Sequence, residues 1–529
     1  MLLGTTIFLV NDDQVMESIA SGRYTGRPVH NLVFIGFLPG ALLQRLYLIT
    51  DRVPWYALML LSLNAIALGL LTAIVLRRRR ALGVGLTALA IISLAAFGGF
   101  FLFRPTFTVT AMLLATAAIA LASTVASTHG VAQRTRLVIV CVLLATASTI
   151  RFEGVLGIGL AVAPAVVVVL ATLPRRTSVV LAGCASISIL SVRLIDVATR
   201  NLGGWRAFNE FNSLRSQLHG TVGFSRFVAA KDTPPYRELL LANHWTPADL
   251  RLFRYWLYDD PVVYSVDKIR RLVDAVNQVP DHLDTHAVWS AVLASRSTAL
   301  LAGAAMVVAL FLRGWRAGLL GAATIAASIS AGAWLAATAR FPIRVSFPIM
   351  LAALLVPLCV TPLLRTRPTR PWRRHTATAV AGAAIVLIGT WWQAYADVVK
   401  LSNENQMAVA ATQLDQRALT HLDPAGLFVR VGPFATEATD TAASLEPNVL
   451  PTGWMIFSPV QDQRVSFLGV DQRLLPSLVD QPHRYLLATP RMLMDLGSVY
   501  RLRFHIKVQF ERTIVLPDLL TVYRVVRAP

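Results

Sequence analysis

The stretch Asn11-Asp12-Asp13-Gln14 follows an apolar run, residues 1–10, and precedes a polar segment, residues 17–30. Adjacent carboxylates are costly inside a membrane, so this stretch suits the point where an apolar helix emerges into water. Two such side chains can deprotonate a hydroxyl, or they can hold a divalent cation such as Mg, Mn or Ca. The alternative is a solvated helix end whose Asn or Asp serves as the N-cap.

The apolar run that precedes this stretch is too short to cross a bilayer. Ten helical residues rise about 15 Å, which is half of a hydrocarbon core of roughly 30 Å. Either the true start of the chain lies upstream, which is what we expect, or this helix is only the outer half of a span. No cleavable signal peptide is predicted, because acidic residues follow the run instead of small residues and a cleavage site.

The composition is that of a membrane protein. Of 529 residues, 55% are hydrophobic and 15% are charged, whereas a soluble domain has roughly 25% charged residues. The net charge of +20 comes mostly from arginine clusters between apolar runs, and this pattern favours topology signals over nucleic-acid binding. The three cysteines lie within apolar runs and show neither disulfide nor metal-ligand spacing.

Orientation depends on how residues 31–50 are placed. The apolar run 54–76 ends in Arg77-Arg78-Arg79-Arg80, which predicts a cytoplasmic end by the positive-inside rule. Residues 31–50 are apolar but are interrupted by Pro39-Gly40, so we predict a helix that lies at the membrane surface. Asp12 and Asp13 are then on the side opposite the four arginines.

With this placement the remaining apolar runs alternate, and every arginine-rich short loop falls on one side. The predicted spans are residues 54–76, 82–103, 107–127, 137–150, 155–173, 179–199, 298–312, 318–338, 345–364 and 376–395. Together with the N-terminal run they predict an all-α polytopic membrane protein with about 11 transmembrane helices, a cytoplasmic N-terminus and a small α+β extracytoplasmic C-terminal region. The predicted domains are a transmembrane module (1–199), an extracytoplasmic loop (200–296), a second transmembrane module (297–395) and the C-terminal α+β region (396–529).

The outer ends of these spans gather charged residues. They are Asp12, Asp13, Arg104, Arg151, Glu153, Arg340 and Arg344, and the outer loop adds Arg215 and His219. Arginine on this side runs against the positive-inside trend, and its planar fork matches phosphate oxygens. The alternatives are that Arg104 and Arg344 reach lipid headgroups, that Arg151 pairs with Glu153, and that His219 is an ordinary loop histidine.

This arrangement resembles the GT-C superfamily of integral-membrane glycosyltransferases. The resemblance lies in the acidic pair at the end of the first span, the surface helix, the string of spans and the outer soluble pieces. Members carry an Asp-Asp-X motif, which Asp12-Asp13-Gln14 matches. The stretch Asn11-Asp12-Asp13 is similar to the motif of the arabinosyl- and mannosyltransferase branches, which build the cell envelopes of GC-rich bacteria. This resemblance implies that the protein lies in the bacterial plasma (inner) membrane.

The resemblance also implies roles for these residues. The donor would be a polyprenyl-phosphate-linked sugar and the acceptor a glycan or glycolipid of the cell envelope. One of Asp12 and Asp13 would be the general base, and the other would orient the hydroxyl or hold the cation. Direct displacement would invert the anomeric centre. Donor phosphate would be bound by Arg104, Arg151, Arg340 and Arg344. Substrate would be oriented by Asn11, Glu153, Arg215 and His219.

Two other classes of function remain open at this point. A transporter or flippase of a lipid-linked or anionic solute could use the same arginines, although the sequence shows no internal repeat and no ionisable residues deep within its spans. A non-catalytic envelope assembly protein would bind partners through its outer pieces. Such a protein would tolerate loss of Asp12 and Asp13, whereas the enzyme would not.

Overall fold

The computed structural model describes residues 8–219, 221–229, 233–258, 260–278, 315–338, 342–364, 414–415, 417–431, 449–470, 474–516 and 520–529. The predicted spans 298–312 and 376–395 lie outside these ranges, and so does Arg340. The N-terminal part begins with a short helix, α1 (Asn11–Ser21), that carries the acidic pair.

Helices dominate the part of the chain that follows α1. They are α2 (Phe37–Ile49), α3 (Trp55–Arg77), α4 (Arg79–Leu82), α5 (Val84–Ser93), α6 (Gly99–Phe103), α7 (Phe107–Ala122), α8 (Gly130–Ala161), α9 (Ala163–Thr172), α10 (Arg175–Arg200), α11 (Trp205–Ser216), α12 (Val222–Ala229), α13 (Pro234–Asn243), α14 (Pro247–Arg254), α15 (Val266–Gln278), α16 (Trp315–Thr338) and α17 (Ile343–Val360).

Six helices within the described ranges are long and apolar enough to cross a membrane. They are Trp55–Arg77, Phe107–Ser127, Gly130–Ala161, Arg175–Arg200, Trp315–Ala336 and Ile343–Leu364. Each contains most or all of a span predicted from the sequence. The polytopic, mostly helical architecture is therefore confirmed, whereas the total of about 11 spans stays a prediction.

The predicted span 82–103 is not one regular helix. A π-helical turn, Leu94–Gly98, separates α5 from α6. A Cβ at Gly98 would collide with the side chain of Leu68 on α3, so glycine permits this close approach of the two helices. A π-helical turn widens the helix locally and accommodates a residue that does not fit the regular pattern of backbone hydrogen bonds.

A sharp bend lies within α8 and confirms the predicted reversal at Arg151. Arg151 has φ −157° and ψ 96°, which is not helical, and helix continues on both sides of it. Its guanidinium lies over the ring of Phe107 at the start of α7. The next helix, α9, packs against residues 361–364, which follow the C-terminal end of α17 and lie at the opposite end of the bundle from Arg151. The chain therefore turns back at Arg151.

The helix α2 (Phe37–Ile49) forms only part of the predicted surface helix 31–50, because residues 31–36 are not helical. Its 13 residues rise about 20 Å, which is too short to cross a bilayer. Gly40, Leu43 and Tyr47 are buried, while Leu38 and Leu42 are exposed. One face thus packs on the protein and the opposite face presents apolar side chains.

The described residues of the predicted extracytoplasmic loop, which end at 278, contain the five short helices α11 to α15. Thr246 and Asp249 form a capping box at the start of α14. Aromatic side chains fill the interior of this piece, including Phe211, Phe253 and Tyr258.

The C-terminal region is the predicted α+β unit. Its strands are β1 (Leu427–Arg430), β2 (Val449–Pro451), β3 (Arg484–Ala488), β4 (Val508–Val515) and β5 (Thr521–Arg527). They form a mixed sheet in the order β2-β1-β3-β5-β4, flanked by α18 (Pro459–Phe467) and α19 (Pro490–Arg503).

Two ion pairs join the C-terminal region to the outer loop. Arg251 of α14 bonds Asp495 of α19 at 2.6 Å, and Arg503 bonds Asp249 at 2.7 Å. The two predicted outer pieces therefore contact each other directly. They cover the same end of the helical part.

The acidic pair and the arginine cluster lie at opposite ends of the bundle, as predicted. Arg78, after the last residue of α3, donates to the carbonyl of Ser123 at 3.0 Å, and Ser123 follows the end of α7. Tyr56, at the start of α3, bonds Asp13. The length of α3 therefore separates Asp13 from Arg78.

Candidate functional site

Asp13 connects three helices. Its Oδ1 accepts a hydrogen bond from the Tyr56 hydroxyl at 2.7 Å and one from the backbone N–H of Phe107 at 3.0 Å. Phe107 is the first residue of α7, where a carboxylate satisfies an orphan amide and favours the helix dipole. Asp13 is fully buried, and this burial raises its pKa to about 7 despite the hydrogen bonds. Its place in the fold is structural.

Asp12 has a different environment from its neighbour. Three guanidinium groups stabilise its charged form electrostatically, those of Arg344, Arg215 and Arg151, and the side chain of Trp454 adds a hydrogen bond. Burial nevertheless outweighs these contacts and raises the pKa of Asp12 above its ordinary value. Asp12 is thus a carboxylate that faces positive charge, with a pKa displaced toward the range in which a base works.

The bend in α8 positions Arg151. Its Nε lies 3.1 Å from Glu153, so the predicted alternative of an Arg151–Glu153 pair is what the structure shows. The guanidinium also lies over the rings of Phe34 and Phe107, 5.7 and 5.6 Å from their centroids. A carboxylate and two aromatic faces hold this cation in place.

Arg215 comes from α11 of the outer loop and is buried, with 4% exposure. Its Nε and Nη2 both donate to Oδ1 of Asn212, at 3.2 and 2.5 Å. The guanidinium lies 4.7 Å from the ring centroid of Trp256. A buried cation is costly unless charge balances it, and Asp12 is a carboxylate whose charge acts on it.

His219 lies one turn after Arg215 and has a structural position. Its Nε2 is 2.8 Å from the carbonyl of Phe253, and its ring packs against Trp256 with centroids 4.2 Å apart. His219 therefore supports the wall behind Arg215. The predicted role in orienting substrate stays a prediction that this geometry does not favour.

The remaining predicted residues divide into two groups. Arg344 is the second residue of α17 and is the first of the charges that act on Asp12. Arg104 follows α6, next to the Pro105 carbonyl that accepts a bond from the N–H of Leu9 at 3.2 Å, so it lies beside the chain that leads into α1. Asn11 opens α1, but its side chain, like Arg340, lies outside the described part.

Sequence reasoning missed Trp454, Phe34 and Tyr56. Gly453-Trp454 reads in the sequence only as a turn, and that turn is present after β2. The ring of Trp454 lies 4.5 Å from that of Phe34, which in turn stacks on Phe107 at 5.9 Å. An aromatic residue placed in a turn was the available signal, but nothing in the sequence connects residue 454 to residue 12.

A divalent cation fits poorly at the acidic pair. Oδ1 of Asp13 already accepts two hydrogen bonds, and the surroundings of Asp12 are guanidinium groups. Within the described ranges, no three His, Cys, Asp or Glu residues gather as metal ligands. The excess of positive charge suits an anion, and phosphate is the anion that arginine forks match.

No family model matches the chain, and no curated protein matches it. Two solved structures of ArnT from Cupriavidus metallidurans align with 98% of this chain and 94% of their own, at 13% identity. The apo form has a TM-score of 0.42, and the form bound to undecaprenyl phosphate has 0.39. A likeness at this level establishes neither family nor function.

Proposed function

We propose that the chain is a membrane glycosyltransferase that moves a sugar from a polyprenyl-phosphate donor to a glycan or glycolipid acceptor. One observation carries the proposal: the positive charges of Arg344, Arg215 and Arg151, which come from three separate parts of the chain, all act on Asp12. Together they offer a base beside an anion-binding group. The GT-C resemblance of Asp12-Asp13-Gln14 supports the same reading.

Asp12 is the base in this proposal, and Asp13 holds α1 in position. The arginines bind the phosphate of the donor, which is the leaving group, and stabilise the charge that it gains. The acceptor oxygen forms a bond to the anomeric carbon as the bond from that carbon to the phosphate oxygen breaks. The hydroxyl proton passes to Asp12, and a single displacement of this kind inverts the anomeric centre.

Donor binding would also prepare the base. Without donor, the arginines stabilise the ionised form of Asp12. A bound phosphate shares these charges and adds negative charge nearby, which raises the affinity of Asp12 for a proton. The carboxylate then becomes a stronger base when the donor is in place.

The test is transfer of radiolabelled sugar from a polyprenyl-phosphate donor in membranes that contain equal amounts of each variant. Asp12→Asn keeps the shape of the side chain but cannot accept the proton, so we expect transfer to fall about 10²- to 10⁴-fold. The matched control is Asp267→Asn, because Asp267 is exposed and pairs with Arg270 on the surface.

Two outcomes would contradict the proposal. Normal transfer by Asp12→Asn would remove the base from this position. Absence of transfer by the wild type, together with movement of a fluorescent polyprenyl-phosphate lipid across reconstituted vesicles, would favour the flippase alternative.

A further inference from the structure

A cavity next to the chain segment that follows α1 takes no part in the chemistry above. It opens between the α1–α2 connection, α2, the start of α11 and α18, with a volume of about 220 Å³. A water molecule needs roughly 10–15 Å³ of such space. A neighbouring cavity near Arg200 offers only about 10 Å³, so the larger one alone can admit an organic group.

The lining of the larger cavity holds one arginine and several groups that can both donate and accept hydrogen bonds. Its polar and aromatic residues are Arg27, His30, Asn31, Gln44, Trp205 and Gln463. Three of these are carboxamides, each of which both donates and accepts hydrogen bonds, and none is a carboxylate. The composition suits a ligand with many hydroxyl groups and an apolar face for the indole.

Two observations show which polar groups of the lining already have hydrogen-bond partners and which can still bond a ligand. Gln44 is fixed, because its Nε2 donates to the Pro28 carbonyl at 2.8 Å and its Oε1 is 3.2 Å from His30 Nδ1. Gln463 differs: its Oε1 is buried and has no hydrogen-bond partner within the described chain. A buried acceptor of this kind is costly unless a ligand donor reaches it.

One chain segment, residues 31–36, separates the cavity from the Asp12 site. Asn31 lines the cavity, while Phe34 contacts Arg151 and Trp454. The segment is held firmly, because the Gly36 N–H donates to the Thr149 carbonyl at 2.7 Å. A ligand in the cavity therefore lies directly beside the proposed transfer site.

We propose that this cavity is a carbohydrate subsite that holds a sugar residue of the acceptor glycan. The indole of Trp205 supports the apolar face of the sugar ring, and the amides of Asn31 and Gln463 bond its hydroxyls. The role of this sugar as part of the acceptor rests on the proposed function, whereas sugar binding itself does not. The subsite would align the glycan so that its accepting hydroxyl reaches Asp12.

The experiment is saturation-transfer NMR with the full chain in detergent, using mannotriose and arabinotriose as probes. We expect at least one of them to bind the wild type, and Gln463→Leu to raise its Kd at least tenfold. Trp205→Phe, which keeps an aromatic core residue, should also weaken binding. Gln509→Leu changes an exposed glutamine on β4 and serves as the matched control.

Binding by neither trisaccharide, or equal binding by wild type, Gln463→Leu and Trp205→Phe, would overturn the subsite. Asp12→Asn separates the two proposals, because it should bind the trisaccharide normally and yet transfer sugar about 10²- to 10⁴-fold more slowly. Binding without transfer by the wild type would sink the proposed function and leave the subsite standing. If the wild type transfers sugar and Gln463→Leu does so with an unchanged KM for the acceptor, the proposed function would stand and the subsite would be overturned.

Discussion

The Tyr56 hydroxyl donates a 2.7 Å hydrogen bond to Oδ1 of Asp13. This bond, with the one from the Phe107 amide to the same oxygen, attaches α1 to α3 and α7. It gives the two acidic residues different surroundings, because the carboxylate of Asp13 is bonded to two helices. Asp12, one residue earlier, is the carboxylate that faces arginine.

The first prediction concerns Asp13 and pH. Burial raises its folded-state pKa to about 7, from an ordinary value of 3.8. The folded state therefore binds a proton more tightly than the unfolded state, and ionisation of Asp13 lowers stability as pH rises from about 4 to 7. The full effect is on the order of 4 kcal/mol. Asp13→Asn keeps a carbonyl oxygen for both donors, so its stability should not fall in this window.

Thermal unfolding in detergent at pH 5 and pH 8 checks this prediction. The wild type should lose more stability between the two values than Asp13→Asn does, while Asp267→Asn should behave as the wild type. An equal loss in both proteins would show that Asp13 does not titrate in this range.

The second prediction concerns Arg344. Arg344→Gln removes the cation that has the largest electrostatic effect on Asp12. We expect transfer to fall about 100-fold, with a higher KM for the donor. Arg344→Lys keeps the charge but loses the planar fork, so its loss should be smaller, about tenfold. Arg270→Gln, a change in an exposed ion pair, should transfer normally. Equal KM values for the donor in all three variants would argue against phosphate binding at Arg344.

Much of the helical framework could be predicted because its cause is local. Apolar length predicts a span, and the arginines at residues 77–80 predict its orientation, since both follow from transfer of side chains between water and lipid. The bend at Arg151 was predicted for the same reason, because the charged residues Arg151 and Glu153 interrupt an apolar run. The π-helical turn at Leu94–Gly98 was not, since it depends on how closely Gly98 approaches Leu68.

The candidate site was predicted only in part. Asp12, Arg151, Arg215 and Arg344 were identified because charge at span ends is unusual, and they lie in one electrostatic group. The separate roles of Asp12 and Asp13 could not be predicted, because they depend on Tyr56 and on the start of α7. Trp454 could not be predicted either, because its distance from Asp12 in sequence hides a contact that only the docked C-terminal region makes.

The third prediction concerns Trp454. Trp454→Phe keeps a ring against Phe34 but removes the hydrogen bond to Asp12. Hydrogen bonds to charged groups contribute roughly 1.5–3 kcal/mol, so without this bond more of Asp12 holds a proton, and kcat on the acidic side of the pH–rate profile should fall about 10- to 100-fold. That bond lowers the pKa of Asp12, and its loss should move the acidic limb of the pH–rate profile to higher pH. A uniform fall in rate with an unmoved acidic limb would indicate a purely structural effect.

The fourth prediction concerns Arg464, which joins the C-terminal region to the chain just after α1. Its side chain is fully buried, with Nη1 donating to the Tyr24 carbonyl at 3.0 Å and Nη2 to the Val449 carbonyl at 2.8 Å. Arg464→Met leaves both carbonyls buried without these donors, which should cost about 2–5 kcal/mol. Because β2 and the Trp454 turn follow Val449 directly, transfer should be lost as well.

Limited proteolysis and thermal unfolding measure this effect. We expect faster cleavage of the C-terminal region in Arg464→Met, whereas Arg270→Met, on the exposed surface of the outer loop, should resist cleavage as the wild type does. If Arg464→Met retained both protease resistance and sugar transfer, the C-terminal region would not depend on this contact. The position of Trp454 would then be maintained by other contacts, among them the ion pairs of Arg251 and Arg503 and the packing of Trp454 on Phe34.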